Sequence, residues 1–197
     1  GLPFYIFTEE ARISAVITKA VENTRYTLDV ALYNLQIPET ARALIQARGR
    51  GVKVRVVLDY EHLYPKANSD IQSIVDAGLD IRVMKGRGGS GSMHNKYAIF
   101  DGTALETGSA NWSAFAETGS YENMMFVFDR DLLNGYQRNF EWMWAQGKLP
   151  GDQSPGWPKP GPLPVAPYAT VELNGARFPP YIFSPRGGTE EAIVRAL

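Results

Sequence analysis

The stretch Val52-Lys53-Val54-Arg55-Val56-Val57-Leu58-Asp59 constrains this chain more than any other. β-Branched residues dominate it, and their stiff side chains suit a pleated strand far better than a helix. It reads as a central strand with Asp59 at its C-terminal end. Strand and helix patterns alternate around it. Phe4–Phe7 and Tyr26–Tyr33 read as strands. Between them, Thr8 followed by Glu9 and Glu10 predicts a helix start, with Ile13, Val16, Ile17 and Val21 on one face. Pro38 suits the first turn of the next helix, which runs to about Arg48 and ends at Gly49 and Gly51. Ile71–Ala77 is helical and stops at Gly78, and Asp80–Met84 is a strand. Lys85–Ser92 is a glycine-rich loop. Asn95–Phe100 and Ala104–Thr107 are strands joined by the turn pair Asp101-Gly102. Glu122–Phe128 is a further strand, and Asp131–Ala145 an amphipathic helix carrying Phe140, Trp142 and Trp144. This alternation predicts an α/β sandwich with a mixed sheet.

With 197 residues, 44% of them apolar, the chain can bury one sizeable core and a little more. Its 20 basic and 21 acidic residues nearly cancel, so no global field draws it to nucleic acid or anionic lipid, although a locally basic cleft remains open to it. Without cysteine it has neither disulfides nor thiolate metal sites. No apolar run approaches the roughly 20 residues that span a bilayer. The start, Gly1-Leu2-Pro3, shows neither an initiator Met nor a signal-peptide pattern, and looks processed. A soluble protein is expected, and secretion or a periplasmic location after signal removal is compatible with such a start.

Composition changes near residue 149. Seven of the 13 prolines fall between Pro150 and Pro167, which predicts a semi-rigid linker over residues 149–168 after a first domain of residues 1–148. Asn174-Gly175 within Val171–Phe178 is a hairpin signal. Further on, Pro180-Tyr181-Ile182-Phe183-Ser184 echoes Phe4-Tyr5-Ile6-Phe7-Thr8, and Thr189–Leu197 echoes the first helix. Residues 169–197 therefore read as the start of a second repeat, cut off after its first strand and helix.

The chemistry concentrates in Met93-His94-Asn95-Lys96-Tyr97-Ala98-Ile99-Phe100-Asp101, which fits H-x-K-x4-D, followed after six more residues by Gly108-Ser109-Ala110-Asn111-Trp112. Residues i and i+2 of a strand share a face, so His94 and Lys96 project together while Asp101 falls on the turn. Ser109 and Asn111 can project together beyond the neighbouring strand. An imidazole, an ammonium, a hydroxyl and an amide around one point suit the dianionic transition state of phosphoryl transfer. A neutral imidazole attacks an anionic diester with little repulsion, and Lys96 offsets the developing charge. Alone, each residue is unremarkable: His94 an ordinary strand histidine, Lys96 a solvated charge, Ser109 and Asn111 turn formers, Glu122 a surface carboxylate.

The complete spacing resembles the phospholipase D superfamily, including its small bacterial endonucleases, over about His94–Phe128, and Glu122-Asn123 also fits. The resemblance implies a phospholipase D-like α/β/α sandwich with a mixed central sheet. It implies a metal-independent phosphodiesterase that needs no cofactor and works through a phosphohistidine. Lys96, Ser109 and Asn111 would hold the non-bridging oxygens, and Glu122 would hydrogen-bond His94 and fix its tautomer. Asp101 would be structural, with Gly108 in support. One histidine attacks phosphorus and a second protonates the leaving oxygen. This chain has one such motif. The second is expected from a homodimer mate or from a separate C-terminal half.

Around the motif, Lys85 and Arg87 with their glycines could cradle phosphate or simply form a flexible loop. Trp112 could stack a base or a head group, or simply pack. His62, just past the Asp59 strand end, is expected to line the cleft. The stretches Glu106-Thr107-Gly108-Ser109, Glu117-Thr118 and Glu122-Asn123 look most like the bacterial endonucleases, so a nuclease on DNA or RNA is the first expectation. A phospholipase D or phosphatidyl transferase acting on phospholipid is the alternative. From a different class comes a non-catalytic half-domain that binds phosphate groups.

Overall fold

A computed structural model describes residues 4–86, 90–152, 154, 171–184 and 187–197. In chain order the elements are β1 (Tyr5–Phe7), α1 (Ile13–Asn23), β2 (Thr27–Leu32), β3 (Leu35–Gln36), α2 (Pro38–Gly49), β4 (Lys53–Asp59), α3 (Tyr60–Leu63), α4 (Ser69–Asp76), β5 (Asp80–Met84), β6 (Lys96–Phe100), β7 (Ala104–Gly108), β8 (Trp112–Ser113), α5 (Ala114–Gly119), β9 (Asn123–Val127), α6 (Arg130–Gln146), β10 (Val171–Leu173), β11 (Ala176–Phe178) and α7 (Thr189–Ala196). Among the described residues, seven strands form a sheet in the order β1-β9-β7-β6-β2-β4-β5. Strands β2, β4 and β5 run parallel, and every other pairing in that sheet is antiparallel. The predicted mixed α/β sandwich is what the chain forms.

Strand pleating sorts the core into two layers. Leu28, Val30, Leu32, Val54, Val56, Leu58, Ala98 and Phe100 face one side, where Ile13, Ile17 and Val21 of α1, Leu44 of α2 and Ile71 of α4 cover them. Val57, Tyr97, Ile99 and Leu105 face the other, under Leu133, Phe140 and Met143 of α6. On that second side Arg55 fastens α6 to the sheet. Its guanidinium lies 2.7 Å from Asp29 and 2.6 Å from Glu141, and 4.9 Å from the centre of the Phe140 ring. Beyond α6, the register pairs Tyr5 with Met125 and Phe7 with Asn123, and Tyr5, Phe7 and Met125 remain exposed.

Two expectations shift for physical reasons. Helix α1 begins at Ile13 rather than at Thr8. The Thr8 hydroxyl has a tertiary task instead, donating to the Ser120 carbonyl at 2.8 Å and accepting from the Glu122 amide at 3.0 Å. The tail also differs from a copy of the first strand. Asn174-Gly175 makes the expected two-residue hairpin turn, both residues at positive φ. Residues 180–184, however, form no strand. Tyr181 and Phe183 lie on Tyr136 of α6, with ring centres 6.0 and 4.9 Å away, and Arg138 donates to the Tyr181 hydroxyl at 2.8 Å. Gly135 makes this possible, because a Cβ there would overlap the Tyr181 ring. Helix α7 buries none of its residues. Most of the proline-rich stretch, and Arg87 with it, lies outside the described residues.

Candidate active site

Strand direction brings the motif together. The C-terminal ends of β2, β4 and β7 and the N-terminal ends of β6 and β9 lie at one end of the sheet. Along that end stand Glu122, Ser109, Lys96, Tyr33 and Asp59, each at or next to the tip of its strand.

Lys96 opens β6 and is 7% exposed, whereas His94, two residues earlier, is open to solvent. The Lys96 ammonium donates to the His94 carbonyl at 2.8 Å and stands 3.2 Å from His94 Nδ1. Burial pushes the lysine down to about 8, with the carboxylates of Glu122 and Asp59 opposing that fall. Burial also lowers His94, and the neighbouring ammonium lowers it further. The pair is thus set for a neutral imidazole beside a cation near neutral pH.

Asp59 holds the approach to the motif. It is fully buried, and its carboxylate accepts from the Met93 amide at 2.6 Å and the Glu61 amide at 2.9 Å. Burial raises its pKa, against those two amides. It thereby ties the end of β4 to the backbone one residue before His94.

Glu122 takes a different partner from the one expected. Its carboxylate accepts from Ser109 Oγ at 2.5 Å, and Ser109 Oγ in turn accepts from the Asn123 amide at 3.0 Å. No hydrogen bond joins Glu122 to His94 among the described residues; its effect here is electrostatic, on Lys96. Gly108 is required by space, since a Cβ would strike the Asn123 carbonyl of β9. Asn111 follows Ser109, but its side-chain oxygen is buried without a hydrogen-bond partner among the described residues. Asp101 lies at the far end of the strand. It accepts from the backbone amides of Arg25, Tyr26 and Thr27, which clamps the β6–β7 turn to the start of β2 and lowers its pKa despite some burial.

Trp112 is closed to any ligand. Strand β8 pairs with β3, opposing Trp112 to Leu35, and the indole is fully buried in the core. It therefore packs rather than stacking a base or a head group. Lys85 places its ammonium 4.1 Å from the centre of the Tyr60 ring. His62 packs edge-on against Tyr33 at 4.4 Å, and its Nε2 is buried without a hydrogen-bond partner among the described residues. Sequence reasoning passed over Tyr33 and left Asp59 as a strand end. A polar or aromatic residue just past a central strand is the signal that could have drawn attention to either. Among the described residues no group of three or more His, Asp or Glu side chains is arranged to hold a metal ion.

Comparison with known proteins bears on the whole arrangement. The family model described as "Cardiolipin synthase, PLD-like domain" matches residues 17–144. Over 120 residues the chain is 34% identical to a mitochondrial cardiolipin hydrolase from Xenopus tropicalis, covering 61% of this chain and 55% of that protein. A phospholipase D from Rickettsia felis is 31% identical over 134 residues, covering 68% and 65%. The chain thus spans only part of the curated relatives it matches. In fold it is similar to the phospholipase D family member Nuc from Salmonella typhimurium, with a TM-score of 0.64 at 24% identity, covering 73% of this chain and 94% of Nuc.

Proposed function

The chain belongs to the phospholipase D superfamily, and from that premise we propose that it is a phosphodiesterase whose reacting nitrogen belongs to His94. One observation carries the reading: an exposed imidazole kept neutral beside a buried ammonium, 3.2 Å from its Nδ1, at the open end of the sheet. Imidazole and ammonium divide the two tasks that a metal would otherwise perform, supplying a nucleophile and offsetting negative charge. His94 attacks phosphorus and displaces the leaving oxygen, which takes a proton from a second histidine. Water then cleaves the phosphohistidine and returns both groups to their starting state. Lys96 holds a non-bridging oxygen, and Ser109 and Asn111 reach the others once substrate draws them in. The second histidine comes from another copy of the chain, or from a further half-domain in a longer protein.

Nucleic acid is the first substrate class. Phe115 and Tyr121, 74% and 88% exposed, flank the segments that carry Asn111 and Glu122 and offer stacking faces for bases. Phospholipid is the second, favoured by the names of the curated relatives, cardiolipin hydrolase and phospholipase D. The test is turnover of bis(p-nitrophenyl) phosphate in EDTA, followed by competition from DNA, RNA and cardiolipin vesicles. Turnover should survive EDTA and disappear in His94→Ala with the fold intact by circular dichroism. Undiminished turnover in that variant would remove His94 from the chemistry, and a need for Mg²⁺ or Zn²⁺ add-back would remove the mechanism.

A further inference from the structure

The chain has two histidines, and both rest on one tyrosine. Tyr33 follows the last residue of β2, and its amide donates to the Asn95 carbonyl at 3.0 Å, inside the His94–Lys96 motif itself. Its ring centre is 4.6 Å from that of His94, tilted by 56°, and 4.4 Å from that of His62, edge-on at 88°. The Lys96 ammonium stands 5.2 Å from the same ring centre, within the distance at which an aromatic face attracts a cation. Burial and the carboxylates of Glu61 and Asp59 raise the Tyr33 hydroxyl, so it stays un-ionised through neutral pH and adds no charge of its own.

These contacts have a common consequence. His94 is exposed, and besides Tyr33 it has the Lys96 ammonium 3.2 Å from its Nδ1; rotation would carry its reacting nitrogen off the line to phosphorus. A ring on its flank restricts that freedom and at the same time draws Lys96 towards the imidazole. His62, against another part of the tyrosine, keeps that ring from turning away.

We propose that Tyr33 is the positioning residue of this site, setting the plane of His94 and the place of Lys96 through its aromatic ring, with His62 as its buttress. The proposal rests on His94 and Lys96 being the reacting pair. It assigns the work to the ring rather than to the hydroxyl, so phenylalanine should replace tyrosine and an aliphatic side chain should not.

The experiment compares the full-length wild type with Tyr33→Phe, Tyr33→Leu and Tyr33→Met. The last fills similar space without a ring should the leucine variant fail to fold. With bis(p-nitrophenyl) phosphate, Tyr33→Phe should keep kcat within about threefold, while the ringless variants lose at least about tenfold in kcat with KM within about twofold, as expected when geometry rather than binding is lost. Imidazole ¹⁵N signals give a second readout without turnover. With only two histidines, a His62→Gln variant assigns them. The His94 signals should report one tautomer in wild type and Tyr33→Phe, and an averaged mixture in Tyr33→Met. Wild-type kcat and an unchanged His94 tautomer in the folded ringless variants would overturn the proposal, as would an equal loss in Tyr33→Phe. If the wild type turns over no phosphodiester, the proposed function fails, and the imidazole signals still decide the role of Tyr33.

Discussion

At the scale of single residues, the lysine decides how the site behaves with pH. With bis(p-nitrophenyl) phosphate, whose nitrophenolate leaves without needing a proton, turnover needs neutral His94 and protonated Lys96. Burial lowers both, so the acid limb should lie below the ordinary histidine range and the alkaline limb near the lysine's value of about 8. The expected kcat/KM profile therefore rises early, peaks around neutrality and falls as Lys96 loses its proton. Lys96→Arg, which stays charged, should abolish the alkaline fall even if its altered shape lowers the peak. Lys96→Ala should lose on the order of 3 kcal/mol of transition-state stabilisation, roughly a hundredfold. A wild-type profile still level well above pH 9 would show that this ammonium does not govern the rate. The pair was legible in the sequence because its spacing is dictated by strand geometry, whereas Tyr33 and Asp59 were not. Their partners lie on other strands, and no local pattern reports which strand ends meet.

Elements were legible where one pattern dominates. The run of β4 and the amphipathic α6 are close to their predicted bounds. Strands β3 and β8, two residues each, have no period to read. Strand β7 misleads in another way. Glutamate is rarely fully buried, yet Glu106, in the middle of the strand, is 1% exposed. Burial raises its pKa to about 8, opposed only by the nearby Trp112 indole. Neither the indole nitrogen nor either carboxyl oxygen has a hydrogen-bond partner among the described residues. Glu106 thus keeps its proton in the folded chain at neutral pH, while in the unfolded chain it ionises near 4.5. Between those values the native state binds more protons than the unfolded state, so stability falls as pH rises, by at most about 1.4 kcal/mol per pH unit from this group. Glu106→Gln removes that slope. Its melting temperature should approach that of the wild type near pH 5 and exceed it by a growing margin towards pH 8. A difference that does not change with pH would mean that Glu106 is ionised in the fold.

For the whole molecule, the sequence pattern showed layers and sheet type, because alternation of strand and helix leaves few ways to cover a sheet. It could not show how the tail lies. Tyr181 and Phe183 repeat the wording of β1 but rest on α6 in the notch at Gly135, a contact that no local pattern encodes. Nor could it show which apolar surface stays open: Tyr5, Phe7 and Met125 on one sheet face, and Phe115 and Tyr121 near the site. Attack at phosphorus and protonation of the leaving oxygen need two groups, and the chain contributes one such motif. A competent site is therefore expected to join two motifs, with His94 near the junction and the exposed face of Tyr5, Phe7 and Met125 covered. Light scattering should then give twice the 21.8 kDa of one chain, or show a further polypeptide in the active species. Poisoning gives a sharper test. If each site needs His94 from both chains, a fully exchanged equal mixture of wild type and His94→Ala leaves about a quarter of the dimers intact, and turnover should fall to that fraction of the same total amount of wild type. Tyr5→Glu, which places a charge on that surface, should shift the mass towards one chain and take the activity with it. A mixture retaining half the activity, or a strictly monomeric chain with full turnover, would show that one His94 suffices.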